Sequence, residues 1–281
     1  MNGTGTPVLE VEGLVVEYGA GAGAFRAVDG VSFRVPRGST VAVVGESGCG
    51  KSTVAKAVMR LLEPTAGRVL LDGTDITHLP DRRLRPLRHR WQMVFQDPYG
   101  SLDPHLTAAE IVGEALRQRG TPKDRRDARV RELFDRVGLP ASGLDRRPAE
   151  FSGGQRQRIG IARALASEPE LLLCDEATSA LDVSVQAQVL DLLREVQRDS
   201  GISCLFISHN LGVVQGISDE VVVMRRGRVV ETGPTTRVLT SPAEDYTRRL
   251  RRAALDPAAM VGRKPRHVVR GVLTTTGGTA A

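Results

Sequence analysis

The chain has little to cross-link with. Its three cysteines, Cys49, Cys174 and Cys204, are an odd number with no CxxC spacing. Neither a disulfide framework nor a zinc knuckle can be drawn from them, and a reducing compartment suits them. Aromatic residues make up only 4% and are not interleaved with the basic ones, which leaves little from which to build a base-stacking platform for single strands. Long apolar runs are also missing. Residues 41–44, 171–174 and 221–224 are among the longest, far short of the ~20 residues that cross a bilayer. Residues 1–12 hold no Lys or Arg and no continuous apolar stretch. No secretory signal is read there, and the chain is expected to stay in the cytoplasm.

What is present is a globular composition: 281 residues, 41% hydrophobic and 26% charged, neither a disordered chain nor a fibre. Lys and Arg number 39 against 33 Asp and Glu, a net charge of +6. That sign allows nucleic acid, anionic lipid or nucleotide phosphate as a partner without choosing among them. Strand-like runs at 8–18, 31–35, 40–45, 68–76, 92–96, 171–176, 204–209 and 220–230 are separated by helical patterns, such as Val130, Leu133, Phe134, Val137 and Val189, Leu192, Leu193, Val196. The alternation predicts an α/β fold with a mainly parallel sheet covered by helices. Residues 98–166 read as an inserted helical segment without a convincing strand. After Gly233-Pro234 the sequence predicts a short helix, an Arg-rich helix over 246–255 and a Gly/Thr/Ala tail expected to fray.

Gly45-Glu46-Ser47-Gly48-Cys49-Gly50-Lys51-Ser52 fits GxxxxGK[ST] between a predicted strand and a predicted helix, 52–62. Glycines let the backbone wrap a phosphate, the helix N-terminus adds positive partial charge, Lys51 reaches the outer phosphates and Ser52 can ligate Mg²⁺. The apolar run from Leu171 to Cys174 ends in Asp175 and Glu176, as a parallel strand does when it delivers polar groups to a ligand crevice. Asp175 suits Mg²⁺. Glu176 is the candidate base for an attacking water, a role worth roughly 10² to 10⁴ in rate. Standing alone, two acids after a strand are more often a solvated turn or a helix cap.

A third motif, Phe151-Ser152-Gly153-Gly154-Gln155-Arg156-Gln157-Arg158, resembles the LSGGQ signature of the ATP-binding cassette (ABC) family, with Phe151 in place of the usual Leu. On physical grounds Ser152 and the amides of Gly153 and Gly154 can form another anion site at a helix start; without the other motifs they read as a helix N-cap. The resemblance covers residues 8–239. It implies a P-loop NTPase (RecA-like) fold with an N-terminal antiparallel β-region and an inserted helical subdomain, the cassette occupying 1–240 and a C-terminal extension 241–281. It also implies ATP and Mg²⁺ as cofactors, and two sites completed only when two cassettes close head to tail. A group supplied in trans is worth about 10³ to 10⁵ in phosphoryl transfer.

By the same resemblance Gln96, read as ending a strand, is the residue joining Mg²⁺ and the attacking water to the transporter-facing surface, and Thr53 belongs to the nucleotide pocket. Asp182, in Ser179-Ala180-Leu181-Asp182, lies in the loop crossing the dimer interface and counts among the nucleotide-binding residues. His209 is the switch histidine on the γ-phosphate, and Tyr18 stacks on adenine. Taken singly, each reads as an ordinary strand end, turn, cap, strand aromatic or surface residue.

The run from Gln96 to Pro104 looks like that of cassette subunits in peptide and nickel importers. Residues 242–250 are similar in spacing to that group's C-terminal motif, with Glu244 and Asp245 where a His-Pro pair usually stands. The resemblance therefore implies an energy-coupling subunit for dipeptide or oligopeptide import. It would lie at the cytoplasmic face of the membrane under two permease subunits, paired with a second cassette and served indirectly by an extracytoplasmic solute-binding protein. Its loop over 98–106 would receive a permease helix. No iron–sulfur cluster and no nucleic acid partner are expected. The alternatives are an importer of nickel or another small solute, a soluble ABC ATPase acting on nucleic acid or ribosomes, and a regulatory subunit without turnover. The clusters Arg82, Arg83, Arg85, Arg88, Arg90 and Arg248, Arg249, Arg251, Arg252 read as solvated faces. Cys49, beside a helix N-terminus, is expected to have a lowered thiol pKa and to be open to oxidation.

Overall fold

The computed structural model describes residues 5–19, 21–97 and 99–255. The chain begins with strands β1 (Leu9–Tyr18), β2 (Phe25–Val35) and β3 (Thr40–Val44), then helix α1 (Lys51–Val58). Strands β4 (Ala66–Leu71) and β5 (Thr74–Asp75), helix α2 (Asp81–Leu84) and strand β6 (Trp91–Val94) follow. Helices α3 (Ala108–Gln118), α4 (Lys123–Arg136) and α5 (Gly153–Ala166) then lead to strand β7 (Leu171–Asp175). The last part comprises α6 (Val183–Ser200), β8 (Ser203–Ser208), α7 (Leu211–Ile217), β9 (Glu220–Arg225), β10 (Arg228–Pro234), α8 (Thr235–Thr240) and α9 (Asp245–Leu255).

These elements form a four-stranded sheet, β2-β1-β4-β5, and a six-stranded sheet, β10-β9-β3-β8-β7-β6. The first is antiparallel; the second is parallel except where β10 meets β9. The continuous apolar runs follow from burial on both faces. Val41 and Val43, Leu171 and Leu173, and Leu205 and Ile207 pack toward the antiparallel sheet and α1. Their neighbours Ala42 and Val44, Leu172 and Cys174, and Cys204 and Phe206 pack into a second core shared with α3 to α8. Successive strand residues thus feed opposite cores, and each fully buried Leu, Ile, Val or Phe contributes about 1.5–3 kcal/mol.

Several predicted boundaries differ. The run 68–76 is two strands, because Asp72 and Gly73 both take positive φ (50° and 73°) and close a hairpin. Likewise 220–230 splits at Arg226 and Gly227 (φ 48° and 80°); both turns need the left-handed pair that a tight hairpin favours. The strand predicted over 31–35 starts at Phe25. Helix α1 ends at Val58 instead of residue 62, and Arg60 is left-handed (φ 51°). Two arginines of the first basic cluster are half-buried and bound to protein groups. Arg90 makes a paired contact with Glu170 at 2.6 and 2.9 Å and also donates to Asp72, while Arg88 donates to the Met59 carbonyl. In the second cluster Arg248 donates to the carbonyls of Pro242 and Ala243 and Arg251 to that of Thr240. The tail over 256–281 lies outside the described residues.

Candidate functional site

Strand β3 ends at Val44 and the chain turns at Gly45 with φ 154°. No side chain fits there: a Cβ on Gly45 would stand 2.3 Å from the Met224 carbonyl oxygen and 2.7 Å from Cys49 Sγ. Glu46, Ser47 and Gly48 are exposed at the loop tip, and Gly50 is the left-handed cap (φ 107°) of α1. Lys51 is buried, its Nζ donating to the carbonyls of Gly45 and Glu46 at 2.9 Å each. Ser52 is exposed and Thr53 half-buried on the first turn. The Ala27 carbonyl of β2 presses on Gly50, and near the same end of that sheet Tyr18 stands opposite Phe25, 42% exposed. Cys49 departs from expectation. It is buried, and burial pushes its thiol up, the adjacent Lys51 ammonium only partly opposing this.

Asp175 closes β7, and Ser52 Oγ donates to its Oδ1 at 3.3 Å. Burial lifts the Asp175 carboxyl above the usual carboxylate range; the Ser52 hydrogen bond opposes this and the neighbouring Glu176 charge adds to it. Glu176 is left-handed (φ 47°), its N–H donating to the Ile207 carbonyl. That bend aims its carboxylate at two residues. Oε2 accepts from Gln96 Nε2 at 3.3 Å, and Oε1 lies 3.1 Å from His209 Nδ1. Gln96 is on an exposed bend two residues beyond the end of β6 at Val94, not at a strand end.

Ser152 caps α5, accepting from the Gln155 N–H while the Gln155 side chain accepts from the Ser152 N–H. The side chains nearest Gly153 and Gly154 belong to Leu181 and Val185; a Cβ on Gly154 would stand 2.2 Å from Val185 Cγ1. Asp182, read as a nucleotide contact, caps α6 here, accepting from the Val185 N–H at 3.0 Å and from the Ser184 hydroxyl at 2.7 Å. Helix α5 also holds the chain on both sides of Gln96. Gln157 donates to the Phe95 carbonyl, the Arg156 guanidinium lies 3.8 Å from the Tyr99 ring centroid, and Arg163 donates to the Ser101 carbonyl. Residue 98 lies outside the described residues.

Motif reading missed the supports of the phosphate loop. The Gly227 N–H donates to the Cys49 carbonyl at 2.9 Å, and the Glu46 N–H donates to the Tyr246 hydroxyl at 3.2 Å. Tyr246 is 200 positions away in sequence, and no local pattern announces such a contact.

The donors near Ser52 and Asp175 are hard oxygens, the chemistry Mg²⁺ takes when it keeps phosphate and water as its other ligands. A phosphate loop, an acid pair at a strand end and a glycine-backed helix start on a two-sheet α/β frame define a nucleoside-triphosphate-binding cassette. A family model described as "ABC transporter" matches residues 28–179. The probable peptide ABC transporter ATP-binding protein y4tS of Sinorhizobium fredii is 50% identical over 258 residues, covering 89% of this chain and 73% of that protein. The oligopeptide transport ATP-binding protein OppF of Bacillus subtilis is 45% identical over 246 residues, covering 86% and 81%. Among solved structures, cbiO1 from Clostridium perfringens, part of the ABC transporter complex cbiONQ, superposes with a TM-score of 0.76 at 30% identity, covering 91% of this chain and 98% of that one. The dimeric cassette MJ0796 bound to ADP and Pi does so at 0.73 and 27%, covering 81% and 98%. The chain belongs to the ABC transporter family, as one of its ATPase cassettes.

Proposed function

We propose that this cassette hydrolyses ATP, as one of a pair, to drive import of dipeptides or oligopeptides through a membrane transporter. The observation that carries the hydrolytic part is the convergence of Gln96 and His209 on the Glu176 carboxylate beside the Ser52–Asp175 pair. In this reading Lys51 and the amides over 47–53 hold the phosphates, Tyr18 stacks on the base, and Ser52 and Asp175, with Gln96, would hold Mg²⁺. The metal would supply charge neutralisation on the phosphates when bound. Glu176 takes the proton from the attacking water, Gln96 orients that water, and His209 steadies Glu176 and the terminal phosphate.

The pairing rests on the backing of Gly153 and Gly154 by Leu181 and Val185, not by the phosphate loop. The exposed serine (Ser152) is thereby left to face the nucleotide of a second cassette, with Asp182 near that interface. The names of the relatives y4tS and OppF support peptide over nickel. No helix among the described residues is long and apolar enough to cross a membrane, so attachment to the cytoplasmic face would be through two permease subunits. The loop over 98–106, in which Tyr99 and Ser101 contact α5, would be their docking loop, and the solute-binding protein would act on the far side. The test is phosphate release by the assembled transporter. Peptide-stimulated turnover that vanishes in Lys51→Ala and in Ser152→Phe supports the reading. Full, concentration-independent turnover by a monomer refutes it.

A further inference from the structure

The phosphate loop is held at three backbone points. Gly45 abuts the Met224 carbonyl, the Cys49 carbonyl accepts from the Gly227 N–H, and the Glu46 N–H donates to the Tyr246 hydroxyl. The first two supports come from β9 and the turn that follows it, inside the six-stranded sheet. The third comes from α9, the last helix described.

Tyr246 is built into place. Its side chain is only 6% exposed, and the Arg225 guanidinium lies 5.0 Å from its ring centroid. The start of α9 is fixed from β10, where the Glu231 carboxylate accepts from the N–H groups of Ala243 (2.8 Å) and Glu244 (3.2 Å). Arg248, one turn along, donates to the Pro242 and Ala243 carbonyls at 2.9 Å each. A buried phenol held this firmly offers its oxygen to one group of the loop, the amide just after the turn at Gly45. Residues 46–48 are exposed, and this bond, with those the Glu46 carbonyl accepts from Lys51 and from the Cys49 N–H, restrains the exposed tip of the loop. A loop held in its ligand-binding shape before the ligand arrives binds more tightly, because less ordering remains to be done on binding.

We propose that Tyr246 is a positioning residue for nucleotide binding: through the Glu46 amide, α9 presets the phosphate loop and thereby sets the affinity for ATP rather than the rate of the chemical step. This rests on the reading of residues 45–52 as the nucleotide cradle. It gives the C-terminal helix a role in the site that the motifs do not assign.

The test is Tyr246→Phe in the full chain, which removes the hydroxyl and keeps the ring. Equilibrium binding of a fluorescent ATP analogue should weaken about three- to tenfold, the equivalent of one net hydrogen bond. Turnover at saturating ATP in the assembled transporter should be unchanged. Hydrogen exchange at the Glu46 amide should accelerate while the amides of β9 and α9 keep their protection. Unchanged affinity overturns the proposal, as does a fall in saturated turnover with affinity intact. So does weaker binding accompanied by faster exchange throughout α9, since the residue would then act by general stability. Lys51→Ala, measured alongside, separates the two levels. If it binds the analogue like the parent chain, the cradle reading itself fails; if it abolishes binding while Tyr246→Phe leaves it untouched, only the role of Tyr246 fails.

Discussion

Oε1 of Glu176 lies 3.1 Å from Nδ1 of His209, and the other oxygen of the same carboxylate accepts from Gln96. Gln96 follows β6, Glu176 follows β7 and His209 follows β8, which are adjacent in the order β8-β7-β6. One carboxylate therefore gathers the C-terminal ends of three parallel strands, where open α/β sheets bind their ligands. Glu176→Gln keeps the shape and loses the proton acceptor. Turnover should fall by about 10² to 10⁴ with ATP binding retained, measured as phosphate release against analogue binding. Equal turnover would remove Glu176 from the role of base.

Gly154 and Val185 set the spacing between the start of α5 and α6. Gly154→Ala would put its methyl within 2.2 Å of Val185 Cγ1, and such overpacking costs about 1–3 kcal/mol. Denaturant unfolding should register that loss, and the double variant Gly154→Ala/Val185→Ala should recover most of it. An additive double variant would show that the strain lies elsewhere.

Asp182 can be tested for two roles at once. As the cap of α6 it should cost about 1 kcal/mol when changed to Ala and almost nothing when changed to Asn, which caps equally well. If capping is its whole contribution, Asp182→Asn turns over ATP like the parent chain. A loss of turnover in Asp182→Asn with stability intact would instead assign its charge to the dimer interface.

Burial holds the folded-state pKa of Asp175 above its unfolded value. The folded protein therefore keeps that proton more tightly. The stability so gained is complete below the unfolded pKa and is lost as pH rises through the folded one. Asp175→Asn removes the titration. Its melting temperature relative to the parent should rise as pH climbs above the ordinary aspartate value of 3.8 and then level off, even as Mg²⁺-dependent turnover is lost. A difference independent of pH would mean that the carboxylate is not penalised by its surroundings.

The chemistry was legible where it is local. A strand, a glycine turn and a helix start at 40–53 are consecutive in the chain, and the acid pair needs only the end of one strand. Boundaries hidden within extended runs were harder. Asp72-Gly73 and Arg226-Gly227 interrupt β-like sequence without a proline, and pairing across each turn revealed the hairpins. The solvated reading of Arg88 and Arg90 missed partners in other segments, at Met59 and Glu170. For Cys49, sequence shows the helix start but not the depth of burial, which here outweighs it.

By itself the sequence determined the α/β class, the identity of the phosphate-binding and acidic groups and the order in which they occur, because each depends on residue type and short-range spacing. Only the tertiary structure decided which of those groups meet. The Gln96–Glu176–His209 cluster depends on which strands lie side by side, the packing of Gly154 on Val185 on how two helices approach, and the hold of Tyr246 on the Glu46 amide on bringing together residues 200 positions apart. Chain folding fixes such distances through the packing of two cores, and nothing in the spacing of the letters encodes them locally.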